Sequence, residues 1–204
     1  TQGDDAVVGW LLTAASLGFY QVAYRFAVAP ATEISQVIST VAFPAYSQLQ
    51  DDISQLRAAF YRTLQVTAFV AFPISIGIAV VAPTCVEATF GQEWIPMVPV
   101  MQIVAVHGLL IAVGATYAPI WKALGRPDLI TKLGVIRLVS TGLLIVPATQ
   151  EFGIVGAAGA VLGAYVIPIV PLDLYIVVQS VETSLGRLLV ELSYPAAASL
   201  LMGG

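Results

Sequence analysis

IPMVPVMQIVAVHGLLIAVGATYAPIW, residues 95–121, is the stretch whose reading decides the fold. It holds no Asp, Glu, Lys or Arg and exceeds the ~20 apolar residues that carry a helix across hydrocarbon. Working outward, Phe60 to Ala82, Leu129 to Ala148 and Gly153 to Val178 are predominantly apolar over lengths that match or exceed the same requirement. A chain that is 58% hydrophobic and only 10% charged has too little polar surface to cover a soluble globule of 204 residues. Its mean hydropathy of +0.90 says the same. The expected fold is therefore all-α: a polytopic transmembrane helix bundle, with residues 1–204 forming a single bundle.

Basic residues set an orientation, because Lys and Arg near span ends stay cytoplasmic while acids contribute little to the bias. Arg57 and Arg62 precede or open the Phe60 span, Lys122, Arg126, Lys132 and Arg137 surround the loop after Trp121, and Arg187 follows the Val178 span. These are alternate loops. The intervening connections, Pro83 to Trp94 and Thr149 to Phe152, carry Glu87, Glu93 and Glu151 without any Lys or Arg, and are expected outside. On this reading Lys132 and Arg137 snorkel to the cytoplasmic boundary, and Trp94 and Trp121 are interfacial anchors.

Along the chain, a short first span is expected from Asp4 to Leu17, with a turn at Gly18 and one kinked helix from Phe19 to about Ser47 containing Pro30 and Pro44. Asp51 to Arg62 spaces Ile53, Leu56, Ala59 and Phe60 helically with charges opposite, as a short interfacial amphipathic connector would. Pro96 and Pro99 fall in first turns of a helix, and Asp128 is an N-cap candidate after the Gly125 to Pro127 turn. Gly156, Gly159, Ala160 and Gly163 would let helices approach closely. There is no initiator Met, and a new apolar run, Leu188 to Leu201, is under way at the end, so the bundle reads as truncated at both ends.

A net charge of -4 with no basic stripe argues against nucleic acid as a partner. One Cys and one His exclude the common zinc sites, no enzyme motif is present, and no cofactor or metal is expected. Arg25 is the one basic residue outside the loop pattern, and a guanidinium inside a span marks a functional site by default. Gln21, Thr32 and Gln36 share its face on an ideal helix, and Glu33 lies about 80° away. Arg25, Gln21, Thr32, Glu33 and Gln36 are the substrate-cavity candidates, against the alternative that Arg25 snorkels to headgroups. His107, with Gln102 and Thr116 as its polar company in sequence, and Asp173, after Pro168 and Pro171, are ion-coupling candidates. Asp4 and Asp5 join them if their helix extends upstream. Core packing is the competing account of His107, and placement at the membrane boundary that of Asp173.

The run Gly18-Phe19-Tyr20-Gln21-Val22-Ala23-Tyr24-Arg25, then Pro30, then Phe43-Pro44-Ala45-Tyr46-Ser47 through Asp52, resembles the signature of polysaccharide flippases in the multidrug/oligosaccharidyl-lipid/polysaccharide exporter superfamily. Phe90-Gly91-Gln92-Glu93-Trp94-Ile95-Pro96 and Ala123-Leu124-Gly125-Arg126 are similar to two further family motifs, so the match covers roughly residues 4 to 130. The resemblance implies the second half of a MATE-like transporter of two pseudo-symmetric bundles, in the cytoplasmic (inner) membrane of a prokaryote. It implies an undecaprenyl-linked sugar substrate, a cationic cavity that handles the pyrophosphate, and a polysaccharide polymerase as a possible partner. A cation- or proton-coupled drug antiporter of the same superfamily is the alternative, and a structural membrane subunit the third reading.

Overall fold

Capped turns and one reversed glycine divide the chain into helices. The computed structural model describes residues 2–203, with side chains for 7–199, and every regular element among them is helical. In order these are α1 (Gln2–Leu11), α2 (Ala14–Gln48), α3 (Ile53–Phe90), a 3-10 segment (Gln92–Met97), α4 (Val98–Gly114), α5 (Ala118–Ala123), α6 (Asp128–Ala164), a π-helical turn (Tyr165–Ile169), α7 (Val170–Ser180) and α8 (Leu185–Gly203).

The first turn falls at Thr13 rather than at Gly18, because the Thr13 hydroxyl accepts from the Ser16 amide and starts α2 there. Gly18 lies inside the helix. Pro30 and Pro44 are likewise internal and do not end it. The expected interfacial helix at 51–62 is not a separate element: α3 runs unbroken from Ile53 to Phe90, and Asp52 caps it by accepting from the Ser54 and Gln55 amides. These bonds favour the carboxylate and hold Asp52 down at about 2, below its ordinary 3.8. At the start of α6 Asp128 pairs with Lys132 at 2.8 Å and makes no side-chain cap, since its carboxylate is drawn one turn along the helix.

Four stretches, Ala14–Gln48, Ile53–Phe90, Gln92–Ala123 and Asp128–Ser180, are long and apolar enough to cross a membrane. The last crosses twice. Gly153, with φ 59° and ψ -138°, reverses the chain within α6, and Leu144, Ala148 and Phe152 share a groove with Val155, Gly156 and Gly159 across the bend. That backbone conformation is closed to residues with a Cβ. Beyond the bend, a methyl group on Gly156 would lie 1.9 Å from the Ala148 carbonyl oxygen, so the hairpin closes only over glycine. Gly159 and Gly163 have no such neighbour; of the expected small-residue stripe, only Gly156 is in forced contact.

Only 17% of the most apolar α3 window is buried inside the bundle. Val66, Phe69, Val80 and Val81 of α3, and Val135, Leu138, Val139 and Leu143 of α6, point outward. Exposed apolar rows on helices of this length need hydrocarbon as their solvent. The protein is a multi-pass, all-α membrane bundle.

Two hydrophobic clusters mark its two ends. One gathers Tyr20, Val86, Met97, Ile145 and Ala157 beside the turns at 12–13, 91 and 153. The other gathers Tyr46, Leu56, Phe60, Ile120, Trp121, Leu129, Val181 and Leu188 beside the turns at 49–52, 124–127 and 181–184. Connections therefore alternate between ends, and the seven patterned basic residues all sit on helices or loops that meet at the second. There Arg57 donates to the Glu182 carbonyl at 2.5 Å, Tyr61 bonds Thr183, and the Arg187 guanidinium stacks 5.0 Å from the Tyr61 ring centre. Gln65 donates to Glu191 at 2.5 Å, which ties α8 along α3. Trp121 is 3% exposed within this cluster. It is a core residue, not an interfacial anchor, because the α5 turn directs it inward beside Tyr117. Trp94 packs edge-on against Phe19 at 5.1 Å and against Phe90.

Candidate functional site

Two polar groupings lie within the membrane-length helical stretches, one on the outside of the bundle and one within it. The first belongs to α2. Tyr20, Ala23, Ala27 and Ala31 are buried against the other helices, while Gln21, Arg25, Thr32, Glu33 and Gln36 are all exposed on the other side. The exposed side divides in two. Arg25, Gln21, Thr32 and Gln36 follow one row along the helix, and Phe26, Val37 and Val41 follow a neighbouring apolar row about 100° to 160° further round. Glu33 sits between the two rows. The Thr32 hydroxyl donates to the Val28 carbonyl at 3.1 Å and Ser35 to the Ala31 carbonyl at 2.7 Å, which satisfies both hydroxyls and loosens the helix beside Pro30.

The second grouping is enclosed by α2, α4, α6, the π-helical turn and α7. His107 is 3% exposed, and its ring meets the Tyr165 ring edge-on at 5.4 Å. Tyr165 donates its hydroxyl to the Leu110 carbonyl at 3.4 Å. Asp173 is buried within the bundle, 7% exposed. A methyl group on Gly114 would meet the Tyr165 hydroxyl at 2.5 Å and an Asp173 carboxylate oxygen at 3.8 Å, so both polar groups converge on a gap that only glycine leaves open. Pro168 removes a backbone donor here, and the Val170 amide bonds the Tyr165 carbonyl five residues back. Such π turns widen a helix and often mark functional positions. A cavity of about 430 Å³ reaches this grouping at His107 and is lined also by Tyr24, Arg137, Thr141 and Val161.

The structure thus joins His107 and Asp173, which are far apart in sequence, and leaves them apart from the Arg25 row. The expected company of His107 is different: Gln102 donates to the Ala79 carbonyl at 3.0 Å and Thr116 to the Val113 carbonyl at 2.8 Å, both satisfied locally. Arg137 is the residue that sequence reasoning missed. Arg137, exposed on α6, lines the cavity and is close enough to act electrostatically on both Asp173 and Tyr165. One signal was available: Arg137 stands nine residues into α6, about 14 Å along its axis, which is deep for a residue marking the boundary. The side chains of Asp4 and Asp5 lie outside the described residues. Among the described residues no cluster of three or more His, Cys, Asp or Glu could hold a metal ion.

Residues 1–99 match the family described as polysaccharide biosynthesis protein. The lipopolysaccharide biosynthesis protein WzxC of Escherichia coli K12 is 34% identical over 165 residues, which is 80% of this chain and 33% of that protein. The chain is thus similar to members of this polysaccharide biosynthesis family. Among other members, the teichuronic acid biosynthesis protein TuaB of Bacillus subtilis is 26% identical over 87% of this chain and 39% of its own length. The probable low-salt glycan biosynthesis flippase Agl15 of Haloferax volcanii is 29% identical over 77% of this chain and 34% of its own length. The chain spans about a third of the length of these family members. No solved structure matches it. The family relatives carry the names of biosynthesis proteins, transport proteins and flippases.

Proposed function

We propose that the full-length protein flips lipid-linked oligosaccharide or polysaccharide precursors across a prokaryotic cytoplasmic membrane by alternating access, and that this chain supplies one of its two bundles. The α2 face carries the proposal. A row of Gln21, Arg25, Thr32 and Gln36 on the unpacked side of a membrane-length helix is costly against lipid and favourable against an aqueous cavity. A second bundle facing this row would enclose such a cavity, and the apolar row at Phe26, Val37 and Val41 would turn toward hydrocarbon.

In this arrangement Arg25 contacts the pyrophosphate of an undecaprenyl-linked sugar, using planar donors that match phosphate oxygens two at a time. Gln21, Thr32, Glu33 and Gln36 offer hydrogen bonds to the sugar. The end holding Arg57, Arg126 and Arg187 faces the cytoplasm. A polysaccharide polymerase is a fitting partner on the opposite side, where a flipped precursor is consumed.

The test is export of surface polysaccharide together with membrane abundance in the full-length protein. Arg25→Ala abolishes export with abundance near normal, and Arg25→Lys is intermediate. A residue that merely snorkels gives a fully active Lys variant, and normal export from the Ala variant would end the proposal.

A further inference from the structure

We propose that Asp173 is a proton-binding site of this bundle, set beside the Tyr165 hydroxyl at the gap left by Gly114 and within electrostatic reach of Arg137. The titratable and charged groups near Asp173 on α7 are Tyr117 at the start of α5, Arg137 from α6 and Tyr165 from the π turn, while Tyr24 from α2 and His107 from α4 line the adjoining cavity.

Three observations select a proton over a metal cation. Asp173 is the one carboxylate among these groups, and a hard cation takes several oxygen ligands, commonly more than one of them anionic. The Arg137 charge already opposes the entry of a second fixed cation. The Tyr165 hydroxyl and an Asp173 carboxylate oxygen both converge on Gly114, and the Tyr165 ring meets the ring of His107, which lines the cavity, so the carboxylate's neighbours toward the cavity are groups able to donate and accept protons.

The chemistry balances simply. The ionised Asp173 carboxylate takes one proton on an oxygen to give the neutral acid, and returns it when the cavity opens to the less acidic side. Ionised, it partly offsets the nearby charge of Arg137; protonated, it no longer does, and the site gains one unit of positive charge. That change is what an anionic cargo would sense. The coupling to transport rests on the flippase reading, whereas the proton site itself does not.

Infrared difference spectroscopy on the full-length protein in lipid vesicles tests the site directly, by following the carboxylic acid carbonyl absorption during an acid titration in potassium and then in sodium buffer. The expected result is a titrating band that is lost in Asp173→Asn, retained in Arg25→Ala and unmoved by exchange of potassium for sodium. Should the Asn variant fail to accumulate, Gly114→Ala serves, because its methyl displaces the Tyr165 hydroxyl that stands beside the carboxylate and so moves the midpoint of the band. A band unchanged in Asp173→Asn or in Gly114→Ala, or one abolished by sodium at constant pH, overturns the proposal. A band that depends on Asp173 alongside normal export from Arg25→Ala would instead retain the proton site and remove the substrate reading.

Discussion

Replacing Gly156 by Ala tests the hairpin that turns one long helix into two membrane passes. The added methyl carbon would lie 1.9 Å from the Ala148 carbonyl oxygen and 2.6 Å from its carbon, against the 3.4 Å at which ordinary contact begins. Both atoms are backbone, so no rotamer change relieves the overlap. The two arms must part by roughly 1.5 Å, which forfeits about half of the dispersion attraction between facing atoms near the bend. Overpacking of this kind costs about 3 kcal/mol, the upper part of its usual range. Gly159→Ala is the internal control, because its methyl meets nothing within 4 Å and should change stability by less than about 0.5 kcal/mol. Thermal unfolding of the full-length protein in detergent, with membrane abundance measured alongside, compares the two. Equal stability of the two variants would refute the closed hairpin and the double crossing built on it.

Other perturbations address separate parts of the structure. Trp121→Ala should lose about 3–5 kcal/mol in the same unfolding assay, as a buried core aromatic does; a small loss would return Trp121 to the membrane interface. Asp52 is held below its ordinary value, so its contribution to the start of α3 is complete above pH 3.8 and disappears as pH falls through about 2. Helicity followed by circular dichroism should show this acid loss in the parent and not in Asp52→Ala. For topology, Arg126→Cys should react with an impermeant thiol reagent only from the cytoplasmic side and Glu93→Cys only from outside, in a background without Cys85. Reaction of position 126 from outside would invert the orientation.

The sequence by itself determined what depends on solvent and local chemistry. Uncharged runs longer than a bilayer is thick make the class of fold unavoidable, because a backbone in hydrocarbon must bond to itself and a helix does so within each segment. The alternation of loops was legible for the same reason, and the two core clusters put the basic loops at one end. The α2 face was readable too, since Gln21, Arg25, Thr32 and Gln36 share a helical row by spacing alone. Boundaries were less legible: the turn at Thr13, the merging of residues 53–62 into α3 and the reversal at Gly153 turn on caps and single dihedral angles. Only the tertiary structure decided the buried grouping. Trp121 reads as an interfacial anchor until the helices pack, because burial is a property of what the neighbours cover. His107 and Asp173 are brought together through Tyr165 by a π turn and by the missing Cβ of Gly114, and no local periodicity encodes a meeting between three separate helices.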